Sequence, residues 1–352
     1  MLGIYRYILA LMVACGHLWP ELIWWSGVYA VFCFYIISGY LMCLVLNEVY
    51  SGGSDSFKYI ANRALRIYPP YLVVLCLSAI AAYLMSEQQL AIPIGQGFLF
   101  KHIISYPATI EQWLANISLL FWNSEAFSVS QAWSLRIELI FYVVMIFLVR
   151  RRSSVIIWFA LSVLYAFYLD ITDRVFLDRY ITVLGSSLAF SFGALIYHFR
   201  SLFTLGAWHV PIAAILFSAH LIFARQIWNF GDEINVIILT AKPETYGIYV
   251  NLFLGGYLLY AIICNQQEWG NLKAMGRVLG DIAYAIFLLH WLVAVLLIAI
   301  GVSFDNKLYF MLFSFIALNA AAFVLYQLVE KPVNRHFRDK VRSSLHSREL
   351  QE

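Results

Sequence analysis

The amino-acid sequence predicts an all-α polytopic membrane protein, a bundle of about ten transmembrane helices with both termini in the cytoplasm. Hydrophobic residues make up 62% of the 352 positions and charged residues only 12%, which is more apolar surface than a water-soluble domain buries. The apolar residues gather in segments close to the length that crosses a bilayer. The basic residues collect on one side of those segments.

Ten apolar segments are candidate spans, since a helix needs roughly 20 apolar residues to cross the hydrocarbon. The first and fifth are short, so their ends are the least defined. In chain order the predicted spans are residues 4–18, 25–46, 68–85, 133–149, 155–169, 181–197, 210–223, 246–264, 282–300 and 308–329.

The distribution of lysine and arginine sets the predicted orientation. With the N-terminus inside, 16 of the 23 basic residues fall on the cytoplasmic side, six fall outside and Arg136 lies within a span. Such an excess is the positive-inside pattern of membrane proteins. An even number of spans then places both termini in the cytoplasm.

The connections suggest one membrane domain. We find no internal repeat and no separate soluble domain, so we expect a membrane domain over residues 1–340 and a charged cytoplasmic tail over 341–352. Pro69 is expected to open the third span and Pro332 to end the last helix. The short apolar run 117–122 is either re-entrant or interfacial.

Composition also excludes several function classes. The net charge is only +3, and no basic block is long enough to follow a nucleic-acid backbone. The five cysteines are odd in number and none shows metal-ligand spacing, so we interpret them as small core residues and expect no metal. No phosphate-binding loop, dinucleotide fingerprint or nucleophile elbow is present.

Ionisable side chains inside apolar segments are the first candidates for chemistry, because such groups are costly in hydrocarbon. Arg6 and His17 stand eleven residues apart in the first span, on one face of an ideal helix. Histidine can act as a general base towards a hydroxyl. The alternative is a boundary arginine and a histidine bonded to a backbone carbonyl.

Glu138 lies inside the predicted span 133–149 and shares a helical face with Ser134 and Tyr142. A carboxylate there needs a partner. One interpretation is a structural ion pair. The other, which we adopt as the prediction, is that Glu138 meets His17 within the bilayer and supports its charge.

Arg63 and Arg66 are neighbours on one helical face just before Tyr68-Pro69-Pro70. Two guanidinium groups at the inner end of a membrane bundle suit a phosphorylated cytosolic ligand. The alternative is the ordinary positive-inside excess. His290 lies in an apolar run and is read as a buried structural histidine.

Six motifs, taken together and in order, resemble the acyltransferase 3 family of membrane acyltransferases. They extend from residue 6 to residue 332. They are the Arg-x10-His of Arg6 and His17, residues 30–40 (AVFCFYIISGY), 63–69 (RALRIYP), 133–142 (WSLRIELIFY), 283–290 (AYAIFLLH) and 330–332 (EKP).

The resemblance implies a stand-alone membrane O-acyltransferase, expected in the bacterial inner membrane. It implies a cytosolic acyl-CoA donor, with acetyl-CoA expected, and a hydroxyl acceptor on a surface polysaccharide or lipid-linked sugar. His17 would be the general base and Glu138 its support. Arg6 would hold the inner end of the first helix and contact donor phosphates, while Arg63 and Arg66 would bind the phosphates of CoA.

Two other functions fit the same charges. A transporter or flippase of a polysaccharide intermediate would line its pathway with them, but the sequence shows no inverted repeat and no matched pair of broken spans. A membrane scaffold or sensor would not require His17, Glu138 and the two arginines in this arrangement.

Overall fold

The computed structural model is built almost entirely of helices. It describes residues 1–23, 25–50, 52, 55–86, 93–94, 98–99, 104–119, 127–172, 176–234, 243–265 and 270–338. The predicted tail 341–352 and part of the run 117–122 lie outside these residues.

The helices of the first half of the chain are α1 (Leu2–Leu18), α2 (Ser26–Glu48), α3 (Ser56–Ser86), α4 (Ile110–Ser118), a 3-10 turn (Ser130–Ala132), α5 (Trp133–Leu148) and α6 (Arg152–Ile171). Between α3 and α4, β1 (Pro93–Ile94) and β2 (Phe98–Leu99) form a short antiparallel ladder in which Pro93 faces Leu99.

The second half contains α7 (Phe176–Tyr180), α8 (Val183–Phe199), α9 (His209–Ile234), α10 (Pro243–Cys264), a 3-10 turn (Gly270–Leu272), α11 (Lys273–Ala299) and α12 (Lys307–Leu325). Two π-helical turns follow, Tyr326–Glu330 and Asn334–Arg338, with α13 (Lys331–Val333) between them.

The all-α membrane architecture predicted from sequence is confirmed. Within the described ranges, seven helices are long and apolar enough to cross a bilayer, and three shorter apolar helices, Leu2–Leu18, Val183–Phe199 and His209–Ala224, coincide with the other three predicted spans. The count of about ten spans therefore stays a prediction.

The prediction that Pro69 opens the third span is wrong, because α3 begins at Ser56 and runs through Pro69 and Pro70 without interruption. Proline inside a helix removes a backbone donor and leaves a carbonyl one turn earlier without its helical partner. Side chains secure the backbone around this point instead. The hydroxyl groups of Tyr68 and Tyr71 donate to the carbonyls of Ser118 (2.9 Å) and Asn116 (2.6 Å), and that of Tyr284 donates to the carbonyl of Ile67 (3.1 Å).

Pro332 likewise does not end the last helix. It lies in α13, and helical structure continues through the π-helical turn that ends at Arg338. A π-turn has wider i to i+5 bonding, and the turn before α13 already departs from the regular α-helical ladder that a proline would interrupt. The charged residues Glu330 and Lys331 are thus part of a continuing helix.

The chain divides into two compact units that interleave along the sequence. The first unit comprises Met1–Ser51 and Ile137–Gly280, and the second comprises Gly52–Arg136 and Asp281–Glu352. The boundary therefore falls inside α5 and inside α11.

The core of the first unit is the crossing of α2 and α8. A Cβ atom added to Gly39 would collide with the backbone of Phe190, and one added to Gly193 would collide with the backbone of Ile36. Glycine at both positions lets the two helix backbones approach closely, as small residues do in membrane interfaces. The prediction that all five cysteines are core residues holds for two of them: Cys33 and Cys43 are buried, whereas Cys15 and Cys264 are half-buried and Cys76 is exposed.

Candidate active site

The first helix carries two of the predicted site residues towards opposite ends. Arg6 lies near the start of α1 and His17 in its last turn, and both side chains are half-buried. Eleven residues of helix correspond to about 16 Å along the axis. The guanidinium and the imidazole therefore belong to one rigid element but are held well apart.

The turn that carries His17 packs closely on α2. The Ser26 hydroxyl donates to the carbonyl of Met12 (3.3 Å). A Cβ atom on Gly16 would lie only 2.6 Å from the backbone nitrogen of Gly27. The missing side chain of Gly16 thus allows the end of α1 to contact the start of α2, and His17 lies at the level of that first turn.

Glu138 has two hydrogen-bond donors. Its Oε1 accepts from the hydroxyl of Ser38 (3.0 Å) and from the hydroxyl of Tyr142 (2.7 Å). Tyr142 lies one turn later on α5, whereas Ser38 lies in the middle of α2. Hydrogen bonds to a carboxylate are stronger than neutral ones, so this side chain links α5 to α2.

The contact that links Glu138 to α2 lies at a different level of that helix from the turn that packs on the end of α1. Ser38, which binds the carboxylate, lies twelve residues beyond Ser26 on α2, and that distance is about 18 Å along the helix axis. His17 lies at the level of Ser26. The meeting of His17 and Glu138 therefore stays a prediction, and the helix register argues against a direct hydrogen bond between the imidazole and the carboxylate.

The level of Glu138 is closer to the start of α1. Tyr5 donates to the carbonyl of Gly255 (3.3 Å), and a Cβ atom on Gly255 would contact both Tyr5 and Cys33. Cys33 is only five residues from Ser38, or about 8 Å along α2. The end of α1 that carries Arg6 is thus nearer to the carboxylate level than the end that carries His17.

Sequence reasoning missed Ser38 as the partner of Glu138. A signal was present, because this serine belongs to the Ser-Gly-Tyr end of the motif at residues 30–40. The helical-face argument correctly grouped Glu138 with Tyr142. It also grouped Ser134 with them, but the Ser134 hydroxyl donates to the carbonyl of Gln131 (3.2 Å).

In the second unit, Arg63 and Arg66 lie on α3 one turn before the prolines, as predicted. Their environments differ. Arg63 is buried, and its guanidinium lies 5.4 Å from the centre of the Tyr59 ring, a cation–π contact. Arg66 is half-buried and makes no hydrogen bond or ion pair with any residue that the structure describes. Arg66 is accordingly the better placed of the two to bind an external anion.

His290 and the first turn before α5 form a separate polar cluster in the second unit. The Nδ1 atom of His290 lies 2.8 Å from the carbonyl of Phe287, and the side chain is fully buried. Gln131 donates to the carbonyls of Phe287 (3.1 Å) and Leu288 (2.7 Å). These contacts favour the structural interpretation of His290.

Among the described residues, no group of three or more histidine, cysteine, aspartate or glutamate side chains could hold a metal ion. The ionisable groups at the candidate site are an imidazole, a hydrogen-bonded carboxylate and guanidinium groups.

Comparison with known proteins places the chain among acyl-transferring enzymes. The family model described as an acyltransferase domain, the acyltransferase 3 model, matches residues 2–327. The chain belongs to the acyltransferase 3 family. The match includes all five predicted site residues, from Arg6 to Glu138. Neither the curated proteins nor the solved structures contain a match.

Family membership together with the apolar helices identifies an integral membrane acyltransferase. The resemblance noted from the sequence motifs is thereby confirmed. Of the three function classes that the sequence left open, the enzyme is the one that this finding supports.

Proposed function

We propose that this acyltransferase moves an acyl group, with acetyl as the expected one, from cytosolic acyl-CoA to a hydroxyl group of a surface polysaccharide or lipid-linked sugar. A cytosolic donor requires a membrane that borders the cytoplasm, which we take to be the bacterial inner membrane. The observation that carries the proposal is the position of Arg66 on α3, next to Arg63 and just before two prolines.

A guanidinium at this position suits the phosphates of CoA. Arginine binds phosphate through several directed hydrogen bonds and keeps its charge at any relevant pH. Arg66 forms no ion pair in the described part of the chain, so its charge is available to a ligand. Arg63 is buried against Tyr59, and its contribution would be to fix this part of α3 and to add positive potential.

His17 is proposed as the general base. It would take the proton of the acceptor hydroxyl while the oxygen attacks the thioester carbonyl. The carbon–sulfur bond then breaks, and the CoA thiolate leaves and is protonated to the thiol. A positioned base contributes about 10²–10⁴-fold to the rate. Arg6, on the same helix, would hold the inner end of α1 and contact donor phosphates.

The donor assignment is tested with purified enzyme and two ligands, acetyl-CoA and the analogue that lacks the 3′-phosphate. We expect the wild type to prefer acetyl-CoA, because each lost charge-assisted bond weakens binding by about 1.5–3 kcal/mol. Arg66→Ala should weaken acetyl-CoA binding and reduce this preference. The matched control is Lys58→Ala, which removes a charge from the same helix that is already paired with Asp55 (3.7 Å).

Two results would contradict the donor assignment. One is an Arg66→Ala enzyme that binds both ligands as the wild type does. The other is an equal loss in Arg66→Ala and Lys58→Ala, which would indicate a general effect of positive charge rather than a phosphate contact.

The base assignment is tested by His17→Ala, with Cys15→Ala as a control for packing in the same half-buried region of α1. Transfer from radiolabelled acetyl-CoA to membrane glycans should fall at least about 10²-fold in His17→Ala, while the protein still inserts and still binds the donor. Full acyl transfer by a folded His17→Ala enzyme would refute the assignment. Glycan movement without acetylation in the wild type would support a transporter instead.

A further inference from the structure

A groove lies on the first unit between α6, α8 and α10, and it encloses about 400 Å³. That volume is within the range of small-molecule sites. Its walls are almost entirely hydrocarbon or aromatic. The side chains that form them include Phe159, Val163, Ala166, Leu188 and Leu252.

The groove opens towards the region that lipid chains occupy. Of the candidate spans, α6 has the smallest buried share, 22%, so most of its apolar surface faces outward. Three side chains that line the groove are themselves exposed: Val163, Phe167 and Phe253. On membrane-spanning helices an exposed apolar face meets hydrocarbon rather than water, and a hydrocarbon chain is therefore the fitting occupant.

One end of the groove is polar. Asp170, in the last turn of α6, lines it and accepts hydrogen bonds from Arg179 and from the hydroxyl of Tyr249 (2.8 Å). Arg179 is buried, and the two form an ion pair. Ionisable residues at membrane depth mark functional sites by default.

Local structure keeps Arg179 in position. It belongs to the short helix α7, and Thr182 caps the following helix by accepting from the backbone nitrogen of Gly185 (3.0 Å). A Cβ atom on Gly185 would collide with the backbone of Asp178 and Arg179. The glycine therefore lets α7 pack directly on the start of α8. Arg152, at the start of α6, is on the side that the positive-inside rule assigns to the cytoplasm. The polar end lies at the opposite end of α6 and is therefore expected at the outer face.

We propose that the groove binds the hydrocarbon chain of a lipid-anchored acceptor from the outer leaflet, with its hydroxyl-bearing sugar head next to Asp170 and Tyr249. Carboxylate and phenol oxygens accept hydrogen bonds from sugar hydroxyls. The charge of Arg179 is balanced by Asp170, so the polar end favours a neutral head over a phosphate. That the ligand serves as acceptor rests on the proposed function, whereas binding of the ligand does not.

The test uses the full chain in lipid nanodiscs and radiolabelled dodecyl glucoside, kept below its micelle-forming concentration. Ala166→Trp fills the groove and should weaken binding by about tenfold or more. The matched control, Leu164→Trp, places the same side chain on α6 at a position that is 63% exposed and does not line the groove. We expect this control to bind within about twofold of the wild type.

A second measurement needs no variant. From Phe159 to Asp170 the groove follows eleven residues of α6, or about 16 Å. Affinity for alkyl glucosides should rise with chain length and level off once the chain spans this distance. Dodecyl phosphate, with the same chain, should bind more weakly than dodecyl glucoside.

Three outcomes would overturn the proposal: equal binding by Ala166→Trp and Leu164→Trp, affinity that rises without levelling off as in simple partitioning, or dodecyl phosphate binding as well as the glucoside. Acetyl-CoA binding is measured on the same samples. Loss of glucoside binding with normal donor binding concerns this groove alone, whereas absent donor binding in the wild type would count against the proposed function.

Discussion

Replacing Glu138 distinguishes a carboxylate that joins helices from one that supports the base. In Glu138→Gln the side chain keeps its size and its oxygen but loses its charge. The hydroxyls of Ser38 and Tyr142 both donate to Oε1, so two charge-assisted bonds become neutral ones. By helix register, the turn that carries His17 lies about 18 Å from this level along α2.

The size of the effect follows from these two bonds. Hydrogen bonds to charged groups contribute about 1.5–3 kcal/mol, whereas polar contacts between membrane helices average about 0.6 and reach about 1.7 kcal/mol. We therefore expect Ser38→Ala and Tyr142→Phe each to cost about 1 kcal/mol of folding free energy. Glu138→Ala should cost about 2 kcal/mol, since it removes both bonds.

The two donors share one oxygen atom, so their effects should not add. In a double-mutant cycle, Ser38→Ala should cost less in the Glu138→Ala background than in the wild type. Thermal unfolding can be followed with a thiol-reactive dye, because Cys33 and Cys43 are free and buried in the folded protein. Both thiols lie on α2, the helix that Glu138 contacts.

Activity gives the refuting measurement. We expect Glu138→Gln to lower the rate of acyl transfer far less than His17→Ala, which removes the proposed base and should lose about 10²–10⁴-fold. If Glu138→Gln loses as much activity as His17→Ala while its unfolding temperature is unchanged, then the carboxylate acts in catalysis and the separation inferred from the helix register does not hold in the working enzyme.

Two further predictions concern packing. Gly39→Val should destabilise the protein by about 1–3 kcal/mol or prevent folding, because the new side chain would collide with the backbone of Phe190. The control, Gly270→Val, should be tolerated, since no atom lies within 4 Å of a Cβ atom at that position. Equal unfolding temperatures for the two variants would contradict the close crossing of α2 and α8. Tyr71→Phe removes the 2.6 Å bond to the carbonyl of Asn116 and should cost about 1 kcal/mol, and unchanged stability would show that this bond does not support α3 at its prolines.

Hydropathy and charge predicted the membrane class and the position of each long helix, because both depend on local composition. The proline boundaries were wrong for the opposite reason. Pro69 and Pro332 favour helix ends locally, but α3 continues past Pro69, where tyrosine hydroxyls form hydrogen bonds between distant segments, and helical structure continues past Pro332 through a π-turn. Contacts of this kind join distant parts of the chain and leave no periodic signal in the sequence.

For the candidate site too, the sequence predicted contacts within one helix but not contacts between helices. Spacing placed Tyr142 on the face of Glu138, which a single helix determines. It could not identify Ser38, which is 100 residues away and belongs to another helix. The direct pairing with His17 was an analogy with base–acid pairs, and spacing along one helix cannot decide it because the two groups lie on different helices.

The sequence pattern treats Arg63 and Arg66 alike, but the structure gives them different environments, so their substitutions should have different effects. Both occupy the same face of α3, yet Arg63 is 6% exposed and lies on Tyr59, whereas Arg66 is half-buried and available. Removing a buried charged side chain disturbs its surroundings, so Arg63→Ala should lower the unfolding temperature as well as donor affinity. Arg66→Ala should lower donor affinity alone. If Arg63→Ala keeps full stability and Arg66→Ala does not, the phosphate contact has been assigned to the wrong member of the pair.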